Sequence, residues 1–94
     1  MIILAVTVRP KPEKAAETLA LLSTFPALAQ KEKGCVQYEF FVAKDLPDTF
    51  YFFEKWADEE SYQLHRKQVY LSNFRERGPE LLTRPNEVVF LRPV

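Results

Sequence analysis

Apolar residues recur along the chain with two different periods. Residues 2 to 9 (Ile2, Ile3, Leu4, Ala5, Val6, Thr7, Val8, Arg9) are dominated by β-branched and apolar types. They close on Arg9-Pro10-Lys11-Pro12, which cannot continue a hydrogen-bonded ladder, so they predict a strand. From Pro12 the period changes: Ala15, Ala16, Leu19, Leu22 and Ala29 recur at helical spacing. Pro12 suits a first turn, Lys31, Lys33 and Gly34 suit a last one, and Pro26 should kink or break the helix between them. Residues 35 to 43 and 49 to 57 are rich in aromatic and β-branched types. Lys44-Asp45-Leu46-Pro47-Asp48 between them supplies turn chemistry, which predicts an antiparallel hairpin. Asp58 then suits an N-cap, with Glu59 and Glu60 favoured by the helix dipole. Tyr62, His65 and Val69 are expected along one face of that helix. Gly78-Pro79 should end it and start a short turn carrying Leu81 and Leu82, and Arg84-Pro85 leads into a last strand over roughly 86 to 92.

The order is βαββαβ, an α+β, ferredoxin-like split arrangement. A strand with one wet face should alternate apolar with polar residues. These strands do not: Phe50, Phe52 and Trp56 point one way and Tyr51, Phe53 and Ala57 the other, while Ile2, Leu4, Val6 and Val8 oppose Ile3 and Ala5. Two helices cover one face of a four-stranded sheet. The second face is therefore expected to meet an identical subunit, as a homodimer.

The 94 residues suit one domain spanning 1 to 94, and aromatics at 14%, eight of them Phe, exceed ordinary composition and require a place to be buried. Thirteen Lys and Arg, scattered rather than gathered in a stripe, balance thirteen Asp and Glu, which argues against nucleic acid or anionic lipid as partner. The first residues lack a basic n-region, and no stretch approaches the ~20 apolar residues of a membrane span, so a cytoplasmic protein is expected. One Cys and one His exclude a Cys/His zinc cluster, and Gly34 and Gly78, the only glycines, belong to no phosphate loop, so neither metal nor nucleotide cofactor is expected.

The candidate residues each have a structural explanation beside the chemical one. Trp56 ends an apolar strand and is either core or a pocket wall with an indole N–H donor. His65 follows Tyr62 by three on the helix. With a reference pKa of about 6.5 it could remove a phenolic or enol proton, and Tyr62 could orient the substrate hydroxyl. Glu54 shares the face of Phe52 and Trp56, so it must be hydrogen-bonded, protonated or, the expected case, tied to a Lys or Arg. Arg75, Arg77 and Arg84 could hold an anionic substrate group at a pocket mouth. Cys35 has no basic neighbour to lower its pKa and is expected as a small buried hydrophobe.

Several stretches together resemble the antibiotic biosynthesis monooxygenase domain family, including its small quinol monooxygenases and autoinducer-2-processing relatives. They are Val6-Thr7-Val8-Arg9-Pro10, Glu32-Lys33-Gly34-Cys35-Val36-Gln37-Tyr38-Glu39, Phe53-Glu54-Lys55-Trp56-Ala57-Asp58-Glu59-Glu60-Ser61, and His65 ahead of Tyr70-Leu71-Ser72-Asn73-Phe74. The resemblance implies a dimeric α/β-barrel, built from two ferredoxin-like subunits, with a pocket between sheet and helices in each. It also implies that phenols or hydroquinones are oxygenated without metal or flavin, the deprotonated substrate reducing O₂ itself. Members of this type carry a Trp at the position of Trp56, and some a Tyr six residues later, as at Tyr62. Thr7 and Phe52 stand at or near positions where catalytic members carry Asn.

The leading expectation is a cofactor-independent monooxygenase of a quinol-like or polyphenolic molecule, with molecular oxygen as second substrate. His65, Trp56 and Tyr62 form its catalytic set, and Thr7, Phe52, Glu54 and Phe74 its substrate-binding set. The alternatives are a dimeric module that binds a small carbonyl or quinone without turnover, and an isomerase of small hydroxy-ketones in which His65 and Glu54 shuttle a proton.

Overall fold

The computed structural model describes residues 1–94. Its elements run β1 (Ile2–Val8), a single 3-10 turn (Pro12–Lys14), α1 (Ala15–Leu22), α2 (Phe25–Ala29), β2 (Cys35–Ala43), β3 (Leu46–Trp56), α3 (Glu59–Arg66), α4 (Val69–Leu81) and β4 (Glu87–Leu91). The four strands form one antiparallel sheet in the order β2-β3-β1-β4, the ferredoxin-like topology.

Register sets which side chains share a face. Val8, Val6, Leu4 and Ile2 of β1 lie opposite Phe50, Phe52, Glu54 and Trp56 of β3, and this whole row except Ile2 is buried under the helices. The intervening positions point to the other face. There Ile3, Ala5, Thr7 and Phe53 are half-buried and Tyr51 is exposed, so the chain leaves that apolar face without a covering layer. The strand β4 continues both faces at the sheet edge, with Val88 and Phe90 towards the helices and Val89 and Leu91 away from them, all exposed.

Three boundaries differ from the sequence expectation and one agrees with it. The hairpin turn is only Lys44-Asp45, and β3 begins at Leu46. Pro47 is tolerated there because the β1 pairing stops at Phe50, so the N–H that Pro47 lacks faces no β1 strand. As expected, the first helix divides at Pro26, which occupies the first turn of α2, where a missing N–H costs nothing. The second helix breaks at Lys67-Gln68, where Gln68 turns extended and its carbonyl accepts from Leu71 and Ser72. It does not break at Gly78-Pro79, which α4 crosses to bring Leu81 and then Leu82 into the core. Val69 therefore starts a new helix and is exposed, away from the face of Tyr62 and His65. Last, β4 is shorter than expected, at Glu87–Leu91.

Two local devices fix α3 relative to the sheet. Asp58 caps the helix by accepting the Ser61 N–H at 2.8 Å, and the Gly34 carbonyl accepts the Ala57 N–H at 2.8 Å. Gly34 holds φ +79°, and a Cβ there would lie 2.1 Å from Ser61 Oγ, so the entry to β2 and the first turn of α3 approach too closely for any other residue. At the other end of the sheet, Leu82 bridges to Pro10, Thr83 N–H donates to the Arg9 carbonyl and Lys11 N–H to the Leu81 carbonyl, which stitches the segment after α4 to the end of β1.

Replacing Gly34 with Ala therefore introduces both backbone strain and a clash, and should destabilise the fold by about 2–4 kcal/mol. Asp58→Ala, which removes only the cap, should cost about 1 kcal/mol. Urea unfolding of the two variants against the native chain checks the difference.

Candidate active site

Between the helix side of the sheet and α3 and α4 lies a cavity of about 730 Å³, inside the range of small-molecule sites. Its walls are apolar: Leu4 and Val6 from β1, Phe52 from β3, Phe25 from α2 and Phe74 from α4. Tyr62 and His65, one helical turn apart on α3, also line it, as does Glu54. Of the seven residues in the expected catalytic and substrate-binding sets, five thus share one space: Phe52, Glu54, Tyr62, His65 and Phe74.

Two do not. Thr7 is on the far face of the sheet, paired with Tyr51 and Glu87, because strand alternation puts it opposite to Val6 and Val8. Trp56 is wholly buried behind the cavity rather than walling it. Its ring stacks on His65 with centroids 4.3 Å apart, and its indole N–H donates to Glu54 Oε1 at 3.0 Å, so it offers no donor to a ligand. Nor does Glu54 meet the Lys or Arg expected for it. Its titratable neighbour is His65, whose Nε2 stands 3.5 Å from Oε1. Arg75 and Arg84 reach the mouth of the cavity, whereas Arg77 is tied to Glu17 and Glu80. Cys35 is half-buried, and burial pushes its thiol pKa up, away from nucleophilic use.

Glu32 is not among the candidates read from sequence. Both its carboxylate oxygens lie 3.1 Å from His65 Nδ1, and it accepts a hydrogen bond from the Tyr70 hydroxyl. The hairpin register could have revealed it. Cys35 pairs with Trp56, so residues just before β2 must meet the helix that follows β3, which is where His65 is.

The network determines protonation. A carboxylate only accepts, so Nδ1 of His65 carries the proton towards Glu32, and in the neutral ring the Nε2 lone pair faces Glu54 and the cavity. Burial lowers the His65 pKa below its usual value; the Glu32 hydrogen bond and charge oppose that, and the nearby Arg75 charge adds to it. Burial raises Glu54 up to about 7, against the pull of the Trp56 N–H and with the repulsion of Glu32. Near neutrality the cavity floor therefore holds an unprotonated imidazole beside a carboxyl group poised to gain or lose a proton. That pair can take a proton from a weakly acidic hydroxyl and later give it back.

The family model described as antibiotic biosynthesis monooxygenase matches residues 1–77. The chain belongs to this family. A Bacillus subtilis relative named "Putative monooxygenase YcnE" is 34% identical over 89 residues, covering 95% of this chain and 94% of its own. The Synechocystis protein sll1783 is 33% identical over 87 residues, and there the match spans 93% of this chain but 59% of the relative's length. Among solved structures, Rv0793 from Mycobacterium tuberculosis superposes with a TM-score of 0.89 at 27% identity, over 99% of this chain and 94% of that one. Family membership supports a monooxygenase-like function, and no helix is long and apolar enough to cross a membrane.

Glu54 sets a pH signature of folding. Its native pKa of about 7 lies above its ordinary value of 4.5, so between those two pH values the folded state binds more protons than the unfolded chain and stability falls as pH rises. The full loss corresponds to about 3 kcal/mol. His65, shifted the other way, makes stability rise with pH up to its ordinary value of 6.5. Glu54→Gln should delete the falling component and leave the rising one. Urea unfolding from pH 4.5 to 8 tests this, and an unchanged pH profile in the variant would remove Glu54 as its source.

Proposed function

We propose that the protein is a cofactor-independent monooxygenase that oxidises a quinol-like or polyphenolic molecule in the cavity under α3 and α4. The observation that carries the reading is the Glu54–His65 pair at the floor of an otherwise apolar space: a base near neutral pH, held where water is scarce. The bound hydroxyl gives its proton to this pair, leaving an electron-rich phenolate. The phenolate passes an electron to O₂, and recombination forms a C–O bond and a hydroperoxide at a ring carbon that still bears its hydrogen. Loss of water then breaks the O–O and C–H bonds, leaves a carbonyl, and uses no other oxidant. The proton held at the floor is available to the departing oxygen. Glu32 supports the step by fixing the His65 tautomer, and Tyr62 and Phe52 bound the substrate plane.

The same pair also fits the enolisation that opens a hydroxy-ketone isomerisation, since Glu54 and His65 can take and return a proton at different positions. Oxygen dependence separates the two readings.

The reading includes a homodimer formed through the uncovered sheet face, on which Ile3, Ala5, Phe53, Val89 and Leu91 leave apolar surface to water. The native chain should sediment as a dimer at micromolar concentration. Val89→Lys, at a position already exposed in the single chain, should shift it towards monomer. A monomeric native chain would exclude this surface as an interface.

Oxygen uptake by the metal-free protein against a panel of hydroquinones and polyphenols tests the chemistry. kcat/KM should rise with pH through about 7 as Glu54 ionises. Glu54→Gln and His65→Ala, each checked for folding, should lower it about 10²–10⁴-fold. Trp56→Phe, which removes the hydrogen bond holding the carboxylate, should move the inflection to higher pH. Uptake that survives both base variants would exclude them as the base, and product without oxygen consumption would favour the isomerase.

A further inference from the structure

Four cations from four separate parts of the chain converge on the cavity: Lys11 after β1, Arg66 at the end of α3, Arg75 within α4, and Arg84 in the segment leading to β4. None has a carboxylate within ion-pair distance, whereas Arg9, Lys14 and Arg77 all do. Their hydrogen bonds go to neutral groups. Lys11 donates to the Pro79 carbonyl at 3.0 Å, Arg66 to the Gln63 side chain at 3.3 Å and Arg75 to the Arg66 carbonyl at 3.0 Å, while the Arg84 side chain donates to nothing. In a chain with equal numbers of acidic and basic residues, the cavity thus gathers four positive groups against a single carboxyl, Glu54.

The charges are also sorted by depth. Glu54 and His65 are 4% and 3% exposed, Lys11 is half-buried, and the three arginines are open to solvent. The floor therefore takes protons and the mouth attracts anions. Low-dielectric walls between them focus the positive field inward, and the Arg75 charge already acts on His65. Guanidinium groups present the paired donors that a carboxylate accepts. An apolar ring between an acid–base floor and a cationic mouth defines a ligand with two different ends.

We propose that the cavity selects an aromatic hydroxy acid, with its phenolic or quinol hydroxyl at Glu54 and His65 and its carboxylate at Arg75 and Arg84. The placement of the hydroxyl rests on the function proposed above; the preference for an anion rests on the mouth alone. The positive mouth also favours the phenolate once it forms, so recognition and deprotonation reinforce one another.

Anaerobic calorimetry with a matched pair of probes separates these ideas, because nothing turns over. 1,4-Dihydroxy-2-naphthoate should bind at least tenfold more tightly than 1,4-dihydroxynaphthalene. The advantage should shrink as ionic strength rises from about 0.05 M to about 0.5 M. Arg75→Gln combined with Arg84→Gln, both exposed positions, should level the two compounds. Equal binding, preference for the uncharged diol, or a preference that persists in the double variant would overturn the assignment. If the diol is bound and oxidised in air without any carboxylate preference, only this inference fails. If the carboxylate is preferred yet neither compound consumes oxygen, the anion site stands and the monooxygenase reading fails. Binding of neither overturns both.

Discussion

A carboxyl group buried without a cation is the constraint around which the cavity is arranged. Glu54 is carried inward by the alternation of β3, between Phe52 and Trp56, and it cannot retain a full charge there at ordinary cost. Its surroundings reduce that cost in two ways: an indole N–H donates to one oxygen, and the raised pKa lets the carboxyl hold a proton beside the imidazole Nε2 lone pair. The imidazole is in turn held by Glu32 from behind, and Trp56 stacks flat against its ring. Four groups from β3, α3 and the chain before β2 thus form one buried unit, and no side-chain polar atom in the buried interior lacks a partner.

The backbone geometry that produces this unit is inexpensive. The pairing of Cys35 with Trp56 brings the entry of β2 beside the exit of β3, and the close approach of Gly34 to Ser61 draws Glu32 in behind α3. The capped start of α3 then sets the angle at which Tyr62 and His65 enter the cavity. At the opposite end, the bonds from Leu82 and Thr83 to the end of β1 hold the segment carrying Arg84 as a rim. Floor and rim are thereby anchored to the same sheet through different strands, so their separation is fixed by the fold rather than by side-chain flexibility.

Strands were legible because their composition is one-sided: aromatic and β-branched runs bounded by Pro, Gly and charged turns leave few alternatives. Helix ends were less so. Gly78-Pro79 carries the local signature of a stop, yet packing of Leu81 and Leu82 draws α4 through it, while the actual break at Lys67-Gln68 has neither Gly nor Pro to mark it. Spacing put Phe52 and Glu54 on one strand face, Tyr62 and His65 on one helix face, and Thr7 opposite to Val6 and Val8, but with both sheet faces apolar it did not say which of them holds the cavity. What spacing could not supply was partnership. The indole N–H of Trp56 is spent on Glu54, two residues away on the same strand face, and Glu32 meets His65 across 33 positions of sequence.

The indole at this floor is the chain's only one. Its emission accordingly comes from a single known place, in van der Waals contact with the imidazole and hydrogen-bonded to the carboxyl that titrates. Intrinsic fluorescence here is a local optical gauge of charge at the floor, readable in the unlabelled protein at the concentrations and pH of interest.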